Sequence, residues 1–281
     1  MCDLLCGTKP IQCAHLLRTV DFELVQLLRG LESAEWDLPT IAGAWRARDV
    51  AAHLLDTALR KLSLARDGCV VEQVEIHSSA DLADLVNRLN REGVTVYRRL
   101  SPPVLIGLLE LTAAASADWH EALDPFATAA FGVSWAGEMQ SANWFDTARE
   151  LTERWHHQQQ IRLATHRPGL FTPELYHPVL DCFLRGLPFA FRNAQARAGT
   201  SVAVTVAGAA GGRWVLTRRE DDWAFTEAEP TSAASHVTIP EVLAWRIFTR
   251  GATPEEIRTS VRIDGDQALG SRVLGLTAIV A

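Results

Sequence analysis

Three residues, far apart in the chain, have the types and spacing to hold a metal ion. Two of them stand in "FDTARELTERWHHQQQIRL", where Glu153 and His157 are spaced i, i+4. On a helix that spacing puts a carboxylate and an imidazole on one side, where both can reach the same ion. His156, at i+3 from Glu153, competes for the role. Helical arithmetic sets Trp144, Ala148, Leu151 and Trp155 on a packing face. Glu153 and His157 fall on the opposite side with Asp146, Glu150, Gln160 and Ala164, and His156 lies between. The third candidate, His53, sits at the edge of the apolar stripe in "RARDVAAHLLDTALRK". Each has a plainer counterpart: a lone histidine is usually a hydrogen-bonded packing residue, and E-x-x-x-H is also found on solvated helix faces.

Other chemistries lack their motifs. Neither H-E-x-x-H nor its inverse occurs, and there is no G-x-S-x-G elbow and no G-x-x-x-x-G-K-[ST] phosphate loop. The glycine-rich Gly208 to Gly212 falls between two strand patterns and reads as a hairpin turn. Cys2, Cys6, Cys13, Cys69 and Cys182 include no C-x-x-C pair, so neither a disulfide framework nor a four-cysteine zinc knuckle is expected. The first three read as free thiols on an open terminus.

The elements that must carry these residues follow from periodicity. Leu17, Val20, Leu24, Leu27, Leu28 and Leu31 mark a first helix between Pro10 and Leu31. A second runs from Arg48 past Leu62. A third starts near Ser79 and Asp81 and ends before Pro102 and Pro103, and Val104 to Ala115 adds a short one. Ser141 to Thr165 is the long helix bearing Glu153 and His157. Pro173 to Arg197 reads as helical, bent at Gly186 and Pro188. Beyond it the pattern changes to strands at Ser201–Ala207, Arg213–Arg218, Trp223–Thr226, Ser235–Ile239 and Val261–Ile263. Capping boxes are expected at Thr238/Glu241 and Thr253/Glu256, and a C-terminal helix follows Asp266. The fold class is therefore α+β: a helix bundle over 1–167, a helical connector over 168–200 and a smaller α+β domain over 201–281.

Composition limits the partners. A chain of 281 residues suits two domains at roughly 100–200 residues each. A formal net charge of −7 opposes a general nucleic-acid binder, which needs a basic face. No run approaches the roughly 18 apolar residues of a membrane span. The start of the chain has no basic segment ahead of an apolar core, so a cytoplasmic protein without a secretory signal is expected. Most of the nine tryptophans are expected in cores.

Taken together, "WRARDVAAHLLD" (Trp45 to Asp56) and "ELTERWHHQQQIRLATHRPG" resemble two signatures of the mycothiol-dependent maleylpyruvate isomerase family, W-x-x-x-D-x-x-x-H and a helix carrying E-x-x-x-H. The resemblance implies a DinB-like four-helix bundle holding a divalent metal, zinc in most members and nickel as an alternative, through His53, Glu153 and His157. Three protein ligands leave a position open for chemistry. The family often has an aspartate shortly after the last ligand, where this chain has Gln158 to Gln160. Residues from Ser201 onward resemble the family's sterol-carrier-like domain, which brings a catalytic arginine to the metal; Arg250, before Gly251, matches best, with Arg246 one turn earlier as the alternative. The activity implied is isomerisation or thiol transfer on a small electrophile bearing a carboxylate, with a low-molecular-weight thiol such as mycothiol as cosubstrate. A monomer or homodimer with small-molecule partners alone is expected. The competing class is a non-catalytic small-molecule binder, or a metal- or redox-responsive regulator, on the same fold.

Overall fold

The computed structural model describes residues 9–70, 72–226 and 232–278. The chain divides into two compact units. One comprises Gln12–Ala130 and Ala142–Leu170; the other comprises Phe131–Ser141 and the chain from Phe171 onward, with the segment ending at Ile11.

The first unit is helical: α1 (Leu16–Arg29), α2 (Ala47–Lys61), α3 (Ser79–Tyr97), α4 (Pro102–Ala122) and α5 (Asn143–Ala164). Helices α1, α2, α4 and α5 pack on one another, and α3 packs on α2. Leu24, Leu28, Trp36, Val50, Leu54, Leu55, Leu105, Leu109 and Ile161 form the shared core. Each large aliphatic side chain removed from water there contributes roughly 1.5–3 kcal/mol. Trp155 is wholly buried, and its indole Nε1–H donates to Leu170 O at 2.9 Å, so its polar edge is not stranded.

Two expectations need correction in this unit. Helix α4 covers 21 residues rather than the short run from Val104, because Pro102 and Pro103 occupy its first turn. Proline lacks only an N–H that the first turn leaves unbonded anyway, so the pair starts the helix. Helix α3 starts at Ser79, where the sequence places it, and Ser78 caps it: its hydroxyl accepts from Asp81 N at 3.1 Å. Cys13 is buried, and burial pushes its thiol up to about 12, far from a reactive thiolate. Cys2 and Cys6 lie outside the described residues.

The second unit begins with α6 (Pro173–Leu184) and a single turn α7 (Leu187–Ala190), after which the chain leaves helical geometry, earlier than the expected Arg197. Strands β1 (Ser201–Ala207), β2 (Gly212–Arg218), β3 (Trp223–Phe225), β4 (Ser235–Pro240) and β5 (Arg262–Gly265) form one sheet in the order β3-β2-β1-β4-β5. Among the described residues only the β1–β4 pairing is parallel. Val202, Val204 and Val206 alternate along β1 and are all buried. The β1–β2 hairpin turns through the expected glycines. A Cβ on Gly211 would lie 1.9 Å from Val206 O, so only glycine fits.

Helices α8 (Glu241–Phe248) and α10 (Gln267–Leu274) pack on the sheet, and α9 (Pro254–Ser260) joins α8 to β5. The Thr253/Glu256 capping box is formed, with Glu256 N bonded to Thr253 Oγ1 at 3.2 Å and Thr253 N to Glu256 Oε2 at 2.8 Å. The Thr238/Glu241 box is not. Thr238 belongs to β4, opposite Thr205 and Arg262, and the ladder holds its backbone extended. Glu241 instead accepts from Ala210 N at 3.0 Å. From α6, the Tyr176 hydroxyl donates to Glu241 O at 2.7 Å and accepts from Trp245 N at 3.2 Å, two groups one turn apart in α8. Among the described residues no helix is long and apolar enough to cross a membrane.

Candidate metal centre

Helix α2 delivers His53, and its own start is built to hold that residue. The Asp49 carboxylate accepts from Arg46 N at 3.0 Å, capping the first turn, and Arg98 Nε lies 3.1 Å away to balance the buried charge. Four residues before Asp49, the Trp45 ring packs against the His53 imidazole with centroids 4.8 Å apart. The W-x-x-x-D-x-x-x-H spacing thus has a local meaning: one residue shields, one caps and one presents a ring nitrogen.

Helix α5 delivers the other two donors. His53 Nε2 lies 3.2 Å from Glu153 Oε1, and His157 Nε2 lies 3.1 Å from the same oxygen. One ligand atom from each residue falls within 4.8 Å of the others. Donors arranged tetrahedrally at bonds of about 2.0–2.1 Å sit about 3.3–3.4 Å apart, so the pairs sharing Glu153 are already near ligand spacing. Both rings are buried and Glu153 is partly so. The competing His156 lies outside the cluster: its Nδ1 bonds Thr152 O at 2.9 Å, a backbone contact of its own turn.

The plainer reading, a solvated face carrying an ordinary Glu–His pair beside Asp146, Glu150 and Gln160, fails, since Asp146, Glu150, His157 and Gln160 are all buried. The carboxylates are matched by cations from α2 and from α5 itself. Lys61 Nζ lies 3.1 Å from Asp146 Oδ2 and 3.0 Å from Glu150 Oε2. Arg154 bonds Glu150 at 3.1 Å, Asp21, and Ser116 Oγ at 2.6 Å. Arg149 Nη2 bonds Asp146 at 2.7 Å. Despite burial, which alone would raise them, Lys61 foremost among the neighbouring cations holds Asp146 and Glu150 below the usual carboxylate range. None of these partners was singled out from the sequence.

Burial likewise works against the Glu153 charge, but His157 and the contacts with both rings hold the carboxyl well below its usual range. Burial first and then His157 push His53 down to about 4, so its ring is neutral near pH 7. On the far side of the rings the two histidines differ. His157 Nδ1 bonds Gln160 Oε1 at 2.8 Å, whereas His53 Nδ1 is buried with no hydrogen-bond partner among the described residues. An amide oxygen carries no hydrogen, so His157 is the donor and, when neutral, aims a lone pair at Glu153 from Nε2. Two imidazoles and a carboxylate converging in this way fit a divalent cation: the donor set is the ordinary nitrogen–oxygen set of zinc and its neighbours.

In the second unit, the Arg246 guanidinium bonds both Glu256 oxygens, at 2.7 and 2.9 Å, and Gly251 O at 3.0 Å. Arg250 is not the last residue of a helix, as expected. It lies past the end of α8 with φ 59°, a left-handed conformation unusual outside glycine, and its Nε is 3.3 Å from Thr277 Oγ1.

The fold and the three convergent donors define a helix-bundle domain with a two-histidine, one-carboxylate centre, followed by a small mixed-sheet domain. The family model described as the mycothiol maleylpyruvate isomerase N-terminal domain matches residues 17–162, and the chain belongs to that family. No curated protein matches it in sequence. Among solved structures it is similar to the mycothiol-dependent maleylpyruvate isomerase, with a TM-score of 0.56 at 14% identity over 91% of this chain and 93% of that one. A mutant of that isomerase matches with a TM-score of 0.57 at 13% identity over the same shares. At such identity the likeness shows the shared fold.

Proposed function

We propose that the chain is a metal- and thiol-dependent isomerase or thiol transferase acting on a small, carboxylate-bearing electrophile. The observation that carries this reading is the convergence of His53 Nε2, Glu153 Oε1 and His157 Nε2 within 4.8 Å, inside the segment matched by the family model. These three residues are the proposed ligands, for zinc first and nickel second. Bound there, a divalent cation supplies the Lewis acidity that lets a low-molecular-weight thiol, mycothiol in the relatives, ionise near neutral pH.

The chain's own groups suit that task. Glu153 is ionised and His53 neutral near pH 7, so neither must lose a proton before binding a cation. Trp45 covers one side of His53 and limits water there. A thiolate that adds to an activated double bond leaves a single bond free to rotate; elimination then returns the thiolate and releases the isomer. Arg250 is the proposed partner of the substrate carboxylate, because Arg246 is already engaged by Glu256 and Gly251.

Metal analysis of purified protein, joined to a screen of thiol-dependent turnover on unsaturated carboxylates, tests this. Near one zinc or nickel per chain is expected, His53→Ala should lose both metal and turnover, and His156→Ala should keep its metal. Arg250→Ala should keep its metal and melting temperature but lose turnover of carboxylate-bearing electrophiles. A wild-type chain that takes up no divalent metal, or a His53→Ala variant with a full complement, would sink the assignment.

A further inference from the structure

The two histidines of the centre are held in different ways, and the difference identifies a residue with a role of its own. A metal-binding histidine normally donates its second ring N–H to a neighbour, which fixes the tautomer and the direction of the ring. His53 has no such neighbour among the described residues: its Nδ1 is buried and unbonded, and the ring is held by packing between Trp45, at 4.8 Å, and His157, at 4.6 Å. His157 has one in Gln160, three residues on in α5, with Oε1 2.8 Å from Nδ1 and both side chains buried.

We propose that Gln160 is the positioning residue of the centre: it locks His157 in the Nδ1–H tautomer, so that the Nε2 lone pair faces Glu153 and any ion placed between them. This rests on the metal reading given above. Gln160 achieves it with a neutral group, and the surroundings explain why that matters. The buried stretch of α5 and its partners already carries Asp21, Asp146, Glu150 and Glu153 against Lys61, Arg149 and Arg154. A carboxylate at 160 would bury a further negative charge; an amide orients the ring without one. The centre then contributes only the Glu153 charge, which leaves a bound divalent cation with net positive charge toward an anionic fourth ligand such as a thiolate.

Gln160→Met keeps the length of the side chain and removes the acceptor. Gln160→Glu restores an acceptor and serves as the rescue. In metal-free protein, nitrogen NMR of the imidazoles should show wild-type His157 as the Nδ1–H tautomer, and Gln160→Met shifted toward Nε2–H, donating to Glu153. Chelator competition should show zinc affinity lower by about 10–100-fold in Gln160→Met, the range for losing such a partner, and within a few-fold of wild type in Gln160→Glu. An unchanged His157 tautomer in Gln160→Met overturns the proposal, as does an equal loss of affinity in both variants, which would mark a packing effect. Should the wild-type chain bind no zinc while the tautomer still shifts with Gln160, the metal reading fails and the positioning role stands.

Discussion

Helix α5 buries charge twice, and the two stretches are finished differently. Along Asp146, Arg149, Glu150 and Arg154, carboxylates and cations alternate and close on Lys61 from α2 and Asp21 from α1. Within the same length of helix, Glu153 contacts two imidazoles, one of which burial keeps neutral near pH 7, and Arg149 one turn away acts on it at longer range. Among the described residues no lysine or arginine forms an ion pair with Glu153, whereas the carboxylates next door have such partners in direct contact. The first stretch is complete as folded protein; on the proposed metal reading, a cation would complete the second. That contrast separates a structural ion network from a binding site on one helix, although both read as polar residues at the same spacing.

The largest expected effect comes from breaking the closed stretch. Lys61→Met leaves Asp146 and Glu150 buried without their shared ammonium, and stability should fall by about 3–5 kcal/mol. Urea denaturation of metal-free protein checks this, and a loss below about 1 kcal/mol would mean that the network is more hydrated than its burial indicates.

The open stretch should respond more to the ion than to the substitution. Glu153→Gln removes a partly buried charge that the two rings and Arg149 favour, so the metal-free variant should melt somewhat below wild type. With zinc at about 1,000 times its dissociation constant, wild type should gain about 4 kcal/mol and the variant almost nothing. Thermal melts with and without zinc read both arms; an equal zinc gain in the two proteins would place the cation elsewhere.

A smaller effect concerns His120, which faces the closed stretch. Burial first and then Lys61 push it down to about 3 from an ordinary 6.5, and its Nδ1 bonds Thr147 Oγ1 at 3.1 Å. A depressed folded pKa means that the unfolded chain binds more protons. The stability that His120 contributes is therefore present above pH 6.5 and is lost as pH falls toward 3. His120→Gln should flatten that part of the acid limb in a stability–pH series, and an unaltered slope would place the acid sensitivity elsewhere.

The sequence disclosed the donors better than their surroundings. Glu153 and His157 were legible because both lie on one helix, where a spacing of four fixes the face they share. His53 was legible through its regular distance from Trp45 and Asp49, three residues of one helix start. The ion network was not, because Lys61 and Glu150 are 89 positions apart and Arg154 and Asp21 are 133 apart, and charged residues are by default solvated. Gln160 stayed hidden for a related reason: an amide has no preferred side of a helix until its partner is placed. In the strand region β1 was read to the residue, since alternation over seven positions has few other interpretations. Thr238 was misassigned because a short capping pattern looks the same in the last turn of a strand as in the first turn of a helix.

The Tyr176 hydroxyl ties α6 to the backbone of α8 by accepting from Trp245 N and donating to Glu241 O. One turn of a helix near the end of the chain thus shares its protection with a side chain some seventy positions earlier. Slow exchange of the Trp245 amide with deuterated solvent would then report the docking of α6 as well as the winding of α8. The two helices should open together as one cooperative unit, and Tyr176→Phe should let the Trp245 amide exchange ahead of its neighbours in α8.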